Sequence, residues 1–326
     1  MRIVVFGAGA VGSVIGGRLH QHADRHGHEV TLVARRPHAA AINERCLTIN
    51  DPNGTDVIRV PAVETIDAVP LDDGDVVILS MKTQGTAAAL DALVGHAPAG
   101  ITVACAQNGI ENERLALRLF AHVAGICVML PASFMSPGEV DANGAPHNAI
   151  LDLGAYPSGR TAVTDAMAEA FELSGLASRS LPDVMRWKHS KLLANLRNVS
   201  DALVSAGQPV KDLMKAVRGE AIACLEAAGL DRASDFEERE RRTGTMTAAP
   251  IGDKPRSGSS TWQSFARGDT SNEVDWLNGE IVLLGRLHGI PTPINTMLCD
   301  LARWAARTGV EPRSLTADDL MARLPG

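Results

Sequence analysis

The chain has 326 residues, long enough for two domains of ordinary size. With 45% hydrophobic and 21% charged residues it has the composition of a folded globular protein rather than a disordered one, and a formal net charge of −7 offers no basic field to nucleic acid. The five cysteines are odd in number and never spaced as CxxC, which argues against a disulfide framework or a zinc site and for a reducing cytosol.

Residues 3–19 read IVVFGAGAVGSVIGGRL. Met1 and Arg2 ahead of an apolar run imitate a secretion signal. However, Gly7, Gly9, Gly12, Gly16 and Gly17 weaken any membrane-inserting helix, and no A-x-A cleavage site closes the run. The alternative is a buried strand followed by G-x-G-x-x-G, from Gly7 through Gly9, Ala10 and Val11 to Gly12. In that motif Gly7 permits the tight turn, Gly9 lets a pyrophosphate reach the backbone, and Gly12 lets the next helix pack on the strand. The free N–H groups and positive dipole end of that helix attract the phosphates. A second strand over 28–35 completes a βαβ unit that predicts dinucleotide binding. NAD-binding proteins usually carry Asp or Glu at the end of this strand; Ala34-Arg35-Arg36 stands here instead. Arg35 can pair with a 2′-phosphate, so NADPH is the expected cofactor; the plainer alternative is two surface arginines opening a loop.

Further along, 75–82, 101–109 and 122–130 are apolar runs typical of strands buried on both faces, with helical spacing between them. Residues 138–156 read as a hairpin pair and 162–175 as a helix, completing a doubly wound sheet with later antiparallel strands. From about Leu181 the pattern turns helical: 183–206, 211–229, 232–243, 260–289 and 293–309. The expected division is therefore a cofactor domain over 1–180 and a helical domain over 181–326. Within 232–243, Arg239, Arg241 and Arg242 alternate with Glu237, Glu238 and Glu240, which reads as a solvated face. The polar, Gly/Pro/Ser-rich stretch 243–260 is either a linker or an active-site loop. No metal-ligand spacing and no apolar run long enough for a membrane span appears, so the expected place of action is the cytoplasm. The long C-terminal helices are compatible with a homodimer or with packing only against each other.

The 183–206 segment carries the candidate chemistry. At about 100° per residue Trp187, Lys191, Asn195 and Asn198 share one face, while Leu192, Leu193, Leu196 and Val199 can be buried. Asn is a poor helix former, so two amides beside one lysine suggest a ligand-facing surface, with an ordinary wet face as the alternative.

GAGAVG, Arg35, SMK ending at Lys82, QNG at 107–109, KLLAN at 191–195, SSTWQ at 259–263, NEVDWLNGE at 272–280 and GIPTPINT at 289–296 together resemble the ketopantoate reductases (2-dehydropantoate 2-reductases) across nearly the whole chain. The resemblance implies an α/β fold: an N-terminal Rossmann-type dinucleotide-binding domain, then an all-helical domain of the 6-phosphogluconate dehydrogenase C-terminal type, with the substrate in the cleft between them. It implies Lys191 as the acid that protonates the ketone oxygen while NADPH reduces its carbon, and Glu273 as the acidic residue orienting it. It likewise implies Asn108, Asn195 and Ser260 as substrate contacts and Lys82 as a cofactor- and site-facing lysine.

Simpler roles stand beside these. Glu273 could close a capping box opened by Thr270, Asn108 could form a turn with Gly109, and Lys82 could snorkel at a strand end. The sequence also departs from the family. The second helix amide is expected eight residues after the lysine, where Val199 stands, and Asn198 comes one residue early. Ser264 stands where Asp is common, and one extra residue separates Gln263 from Glu273. The expected activity is reduction of a small-molecule 2-oxo acid, 2-dehydropantoate first. The alternatives are a related 2-oxo acid or opine-type reductase, or a non-catalytic NADPH-binding sensor.

Overall fold

Ile3, Val4 and Val5 are all buried, and so are Val76 to Leu79 and Thr102 to Cys105. Strands apolar on both faces need helices on both sides, and a parallel sheet supplies them. The computed structural model describes residues 1–252, 258–269 and 272–323. Its contacts divide the chain into two compact units, Met1–Lys188 with Ser234–Arg256, and His189–Ala233 with Ser257–Gly326.

In the first unit the strands are β1 (Arg2–Phe6), β2 (Glu29–Val33), β3 (Leu47–Asp51), β4 (Gly54–Ile58), β5 (Ala62–Val63), β6 (Val76–Leu79), β7 (Thr102–Cys105), β8 (His122–Met129), β9 (Ala132–Ser136), β10 (Glu139–Ala142), β11 (Gly144–Pro146), β12 (Ile150–Ala155) and β13 (Met246–Ala248). The helices up to residue 180 are α1 (Ala10–Gln21), α2 (Ala23–His26), α3 (Arg36–Arg45), α4 (Thr86–Val94), α5 (Asn112–Leu117) and α6 (Ala162–Leu173). The main sheet runs β12-β8-β7-β6-β1-β2-β5, parallel except for β12 against β8. Its order reverses at β1, which has β2 on one side and β6 on the other, and ligands of such sheets bind beyond the strand ends at that switch point.

Residues 138–156 do not form the expected hairpin. β10 pairs antiparallel with β9 and parallel with β3, whereas β12 joins the main sheet beside β8. The segment feeds three sheets: β10 a second sheet with β3 and β9, β11 a two-stranded pair with β13, and β12 the main sheet, with Val140, Ala142, Leu151 and Leu153 buried in one cluster with Ile49 and Ile58. β3 and β4, which no sequence pattern announced, supply the other half of that second sheet.

α7 (Val184–Asn195) and α8 (Asn198–Leu203) replace the single helix expected over 183–206. The break follows from a side chain distant in sequence. Asn278 Nδ2 donates to the Leu196 carbonyl at 3.1 Å, taking an acceptor that a continuing helix would have used. The remaining helices are α9 (Lys211–Ala227), α10 (Asp235–Arg242), α11 (Ser260–Ala266), α12 (Asn278–His288), α13 (Pro293–Thr308) and α14 (Ala317–Met321). Among the described residues the expected helix over 260–289 is thus two helices, with a 3-10 turn at Val274–Trp276 between them.

α10 is not a wholly solvated face. Arg241 is buried and makes a bidentate pair with Asp152 of β12, at 2.7 Å on each oxygen. This pair and β13 against β11 fasten a late segment of the chain to the first unit.

Candidate active site

The three motif glycines do different work. Gly7 has φ +94°, and a Cβ there would lie 2.7 Å from the backbone N of Met81. At Gly12 a Cβ would lie 2.3 Å from Ser80 Oγ and 3.1 Å from Val5 Cγ1, so only glycine lets α1 pack this close to β1. Around Gly9 the nearest such atom is 3.9 Å away, and that side of the turn is open. Ala10 and Val11 form the half-buried first turn of α1, whose N-cap, Gly9, has no capping side chain. An open glycine backbone leading into an uncapped helix start fits a pyrophosphate.

At the end of β2, Arg35 is exposed and serves as N-cap of α3. Arg36 lies 3.6 Å from Glu64, both of them exposed. His38, inside the first turn, is buried; its Nδ1 accepts from the Gly138 N–H at 2.8 Å and its Nε2 lies 2.9 Å from Ser13 Oγ. A ring nitrogen that accepts cannot carry a proton, so the proton sits on Nε2. Burial pushes the His38 pKa down to about 4. The imidazole ties the arginine-bearing turn to α1.

The loops after β6 and β7 meet beside the glycine turn. Ser80 Oγ donates to the Phe6 and Gly7 carbonyls at 3.3 and 3.2 Å. Lys82, half-buried, starts the 3-10 turn Thr83–Gly85. Gln107 Nε2 donates to the Met81 carbonyl at 2.9 Å and to Thr86 Oγ1 at 2.8 Å, joining the segments that carry Lys82 and Asn108. Gly109 has φ +81°, so Asn108 does precede a tight turn. Its carbonyl accepts from Asn112 Nδ2 at 3.2 Å, while its half-buried side chain makes no hydrogen bond to the described residues.

The remaining candidates belong to the second unit. Lys191 is half-buried and lies one turn before Asn195 on α7. Asn195 is buried, and its Nδ2 has no hydrogen-bond partner among the described residues. Because the helix breaks after Asn195, the continuous helix that the expected stripe assumed is interrupted before Asn198. Asn198 starts α8, and its carbonyl accepts from Ser259 Oγ at 3.1 Å. Ser259 is also the N-cap of α11, accepting from Trp262 N, so Ser259 has the structural role and the adjacent Ser260 hydroxyl stays outside the cap. Glu273 is buried at the start of the 3-10 turn. It does not sit in a helix's first turn, and Thr270, its suggested capping partner, lies outside the described residues. Of the stretch 243–260, residues 253–257 also lie outside them.

Sequence reasoning missed a buried pair. Lys188 Nζ bonds to Glu113 Oε1 and donates to the Gln107 carbonyl at 3.0 Å, with the Cys105 carbonyl at 3.5 Å. Lys188 precedes Lys191 by three residues, and Glu113 lies 75 residues from it in the chain, so no local spacing could announce the pair.

Among the described residues no helix is long and apolar enough to cross a membrane, and no cluster of three or more His, Cys, Asp or Glu could hold a metal. Residues 3–157 match the family model described as ketopantoate reductase PanE/ApbA, and residues 183–305 match its C-terminal counterpart. The chain is 29% identical to 2-dehydropantoate 2-reductase of Halobacterium salinarum, over 95% of this chain and 100% of that one. It is also 29% identical to the solved PanE/ApbA family ketopantoate reductase from Ralstonia eutropha JMP134, with a TM-score of 0.77 over 95% and 99% of the two chains. D-mandelate dehydrogenase, solved with NADH and anilino(oxo)acetate, shares the fold at 21% identity and a TM-score of 0.78, over 95% of this chain and 99% of that one. With a glycine turn open to a pyrophosphate and family models matching in both halves, the chain belongs to the ketopantoate reductase PanE/ApbA family of dinucleotide-binding oxidoreductases.

Proposed function

We propose that this protein reduces 2-dehydropantoate to pantoate with NADPH, in the cytoplasm, with residues 1–180 holding the cofactor and 181–326 supplying the acid and most substrate contacts. The observation that carries the reading is Asn195: a buried amide N–H₂ without a protein partner is costly unless a ligand accepts from it, and it stands one turn from Lys191.

NADPH, when bound, supplies the hydride to the carbonyl carbon. Gly7, Gly9, Ala10, Val11 and Gly12 form its pyrophosphate turn, Arg35 reads the 2′-phosphate, and Lys82 and Asn108 border the cofactor from the next two loops. Lys191 holds its ammonium against the ketone oxygen, stabilises negative charge as it develops, and gives up a proton to form the hydroxyl. Glu273 orients that ammonium and accepts from a substrate hydroxyl. Asn108, Asn195, Asn198 and Ser260 donate to the acid's oxygens, so that Asn108 faces both the cofactor and the reacting centre. The four fully buried cysteines and half-buried Cys46, all free, suit a reducing compartment.

The test is NADPH oxidation by the purified chain with 2-dehydropantoate beside a panel of other 2-oxo acids. A kcat/KM on the order of 10⁴ M⁻¹s⁻¹ or more for 2-dehydropantoate is expected. Turnover of a different acid, with little of this one, would reassign the substrate. NADPH binding without turnover of any acid would make the chain a sensor.

A further inference from the structure

The buried ion pair of Lys188 and Glu113 lies at the carboxyl end of β7, where the strand hands over to the turn that carries Asn108. Lys188 is 3% exposed and Glu113 is fully buried. Burial pushes the Glu113 carboxyl up, and the neighbouring ammonium opposes it. Desolvating two charges is expensive, and apolar side chains of similar volume commonly serve stability as well or better. Satisfaction of the pair is also incomplete, since Glu113 Oε2 has no hydrogen-bond partner among the described residues. Stability alone is therefore a poor account of it.

What the pair holds is specific. The ammonium takes the Gln107 carbonyl, and the Cys105 carbonyl at longer range, where the chain leaves β7. The Gln107 side chain is held by Met81 and Thr86; Thr86 Oγ1 donates to Asn112 Oδ1 at 2.7 Å, and Asn112 Nδ2 returns to the Asn108 carbonyl. The Gln107 and Asn108 carbonyls and the Gln107 side-chain N–H₂ are thus tied down, while Gln107 Oε1 has no partner among the described residues. The Asn108 side-chain amide is left over, on a backbone that Gly109 turns through φ +81°.

We propose that Lys188 is a positioning residue: paired with Glu113, it fixes the Gln107–Gly109 turn through the Gln107 carbonyl and so aims the Asn108 amide at the substrate. The inference rests on the function proposed above, in which Asn108 borders the reacting centre.

The experiment compares Lys188→Met, Lys188→Met with Glu113→Leu, and Lys188→Arg in the full chain, reading Tm, the NADPH Kd by fluorescence titration, and kcat and KM with 2-dehydropantoate. Lys188→Met alone should lower Tm, because it strands a buried carboxyl. The double variant should recover Tm while kcat/KM stays at least tenfold below wild type, with NADPH Kd within threefold. Lys188→Arg keeps the charge but moves its donors, and should give the same split even if the double variant does not fold. In an Asn108→Ala background Lys188→Arg should cost less than twofold more. Wild-type kcat/KM in the double variant or in Lys188→Arg would make the pair purely structural, and a full tenfold loss without Asn108 would show that Lys188 acts by another route. A wild-type chain that turns over no 2-oxo acid would instead sink the functional reading, and the positioning role with it.

Discussion

Lys191 and His38 show how one residue's surroundings set its use. In the proposed mechanism the general acid delivers a proton as charge builds on the ketone oxygen, and among the described residues no other lysine of the second unit shares a helix with an unpartnered buried amide. Lys191→Ala should lower kcat by roughly 10²–10⁴-fold, the usual range for a lost general acid. NADPH affinity should stay within a few fold; near-normal kcat in steady-state assays would take Lys191 out of the mechanism. Arg35 makes the corresponding cofactor test. Arg36 has Glu64 beside it, whereas Arg35 stands exposed at the end of β2. Arg35→Ala should therefore raise the NADPH Kd at least tenfold more than the NADH Kd, and equal losses would show that Arg35 does not read the 2′-phosphate. His38 is held neutral in the fold with a pKa of about 4, below the ordinary 6.5. Between those values the unfolded chain binds the extra proton, so this contribution is complete above pH 6.5 and is lost as pH falls toward 4. Urea unfolding across that window should show wild type losing roughly 3 kcal/mol more than His38→Gln. Parallel curves would contradict a buried neutral imidazole.

At the scale of the element, α1 and β1 form a close joint whose glycines separate folding from binding. A methyl group at position 12 would meet Ser80 Oγ and Val5, whereas one at position 9 would have no such atom nearer than 3.9 Å. Gly12→Ala should lower Tm by several degrees through overpacking. Gly9→Ala should leave Tm nearly unchanged and raise the NADPH Kd at least tenfold, because the methyl takes the room a phosphate needs. Equal Tm losses in the two, by thermal melt of the ligand-free protein, would contradict that division. Motif spacing makes this joint legible in sequence because Val5 and the three glycines lie within a dozen residues of one another, although Ser80 and Met81 come from a later strand end. The break between α7 and α8 is a different case: the Asn278 amide that takes the Leu196 carbonyl comes 82 residues later. Local periodicity read a continuous helix there, and with it a stripe that included Asn198.

At the scale of the whole chain, the return of Ser234–Arg256 to the first unit depends on a buried charge pair. Asp152 is 1% exposed, and Arg241 meets both of its oxygens. Arg241→Ala leaves that carboxylate buried and unpaired, and should cost roughly 3–5 kcal/mol of stability in equilibrium unfolding. A loss under about 1 kcal/mol would mean that water reaches Asp152 and that the pair does not secure the segment. Alternating charges in 237–242 suggested a solvated face, and five of those six positions are at least partly exposed. The sixth could not be told apart without knowing where the Asp152 strand lies.

By itself the sequence determined what is written in short-range chemistry. The glycine turn, the Arg35 position, the strands buried on both faces and the change to helices near Leu181 each need only neighbours a few residues away, so periodicity and motif spacing carry them. Tertiary structure alone decided which of two adjacent serines caps α11, where the 183–206 helix stops, and which sheet each strand of 138–156 joins. It also brought Lys188 to Glu113 and Arg241 to Asp152. The α11 cap itself is a local bond from Trp262 N–H, and β10 meets β9 a few residues away. The helix stop and the two ion pairs rest on partners tens of positions apart, and a buried polar group takes its role from whichever distant partner the fold delivers to it.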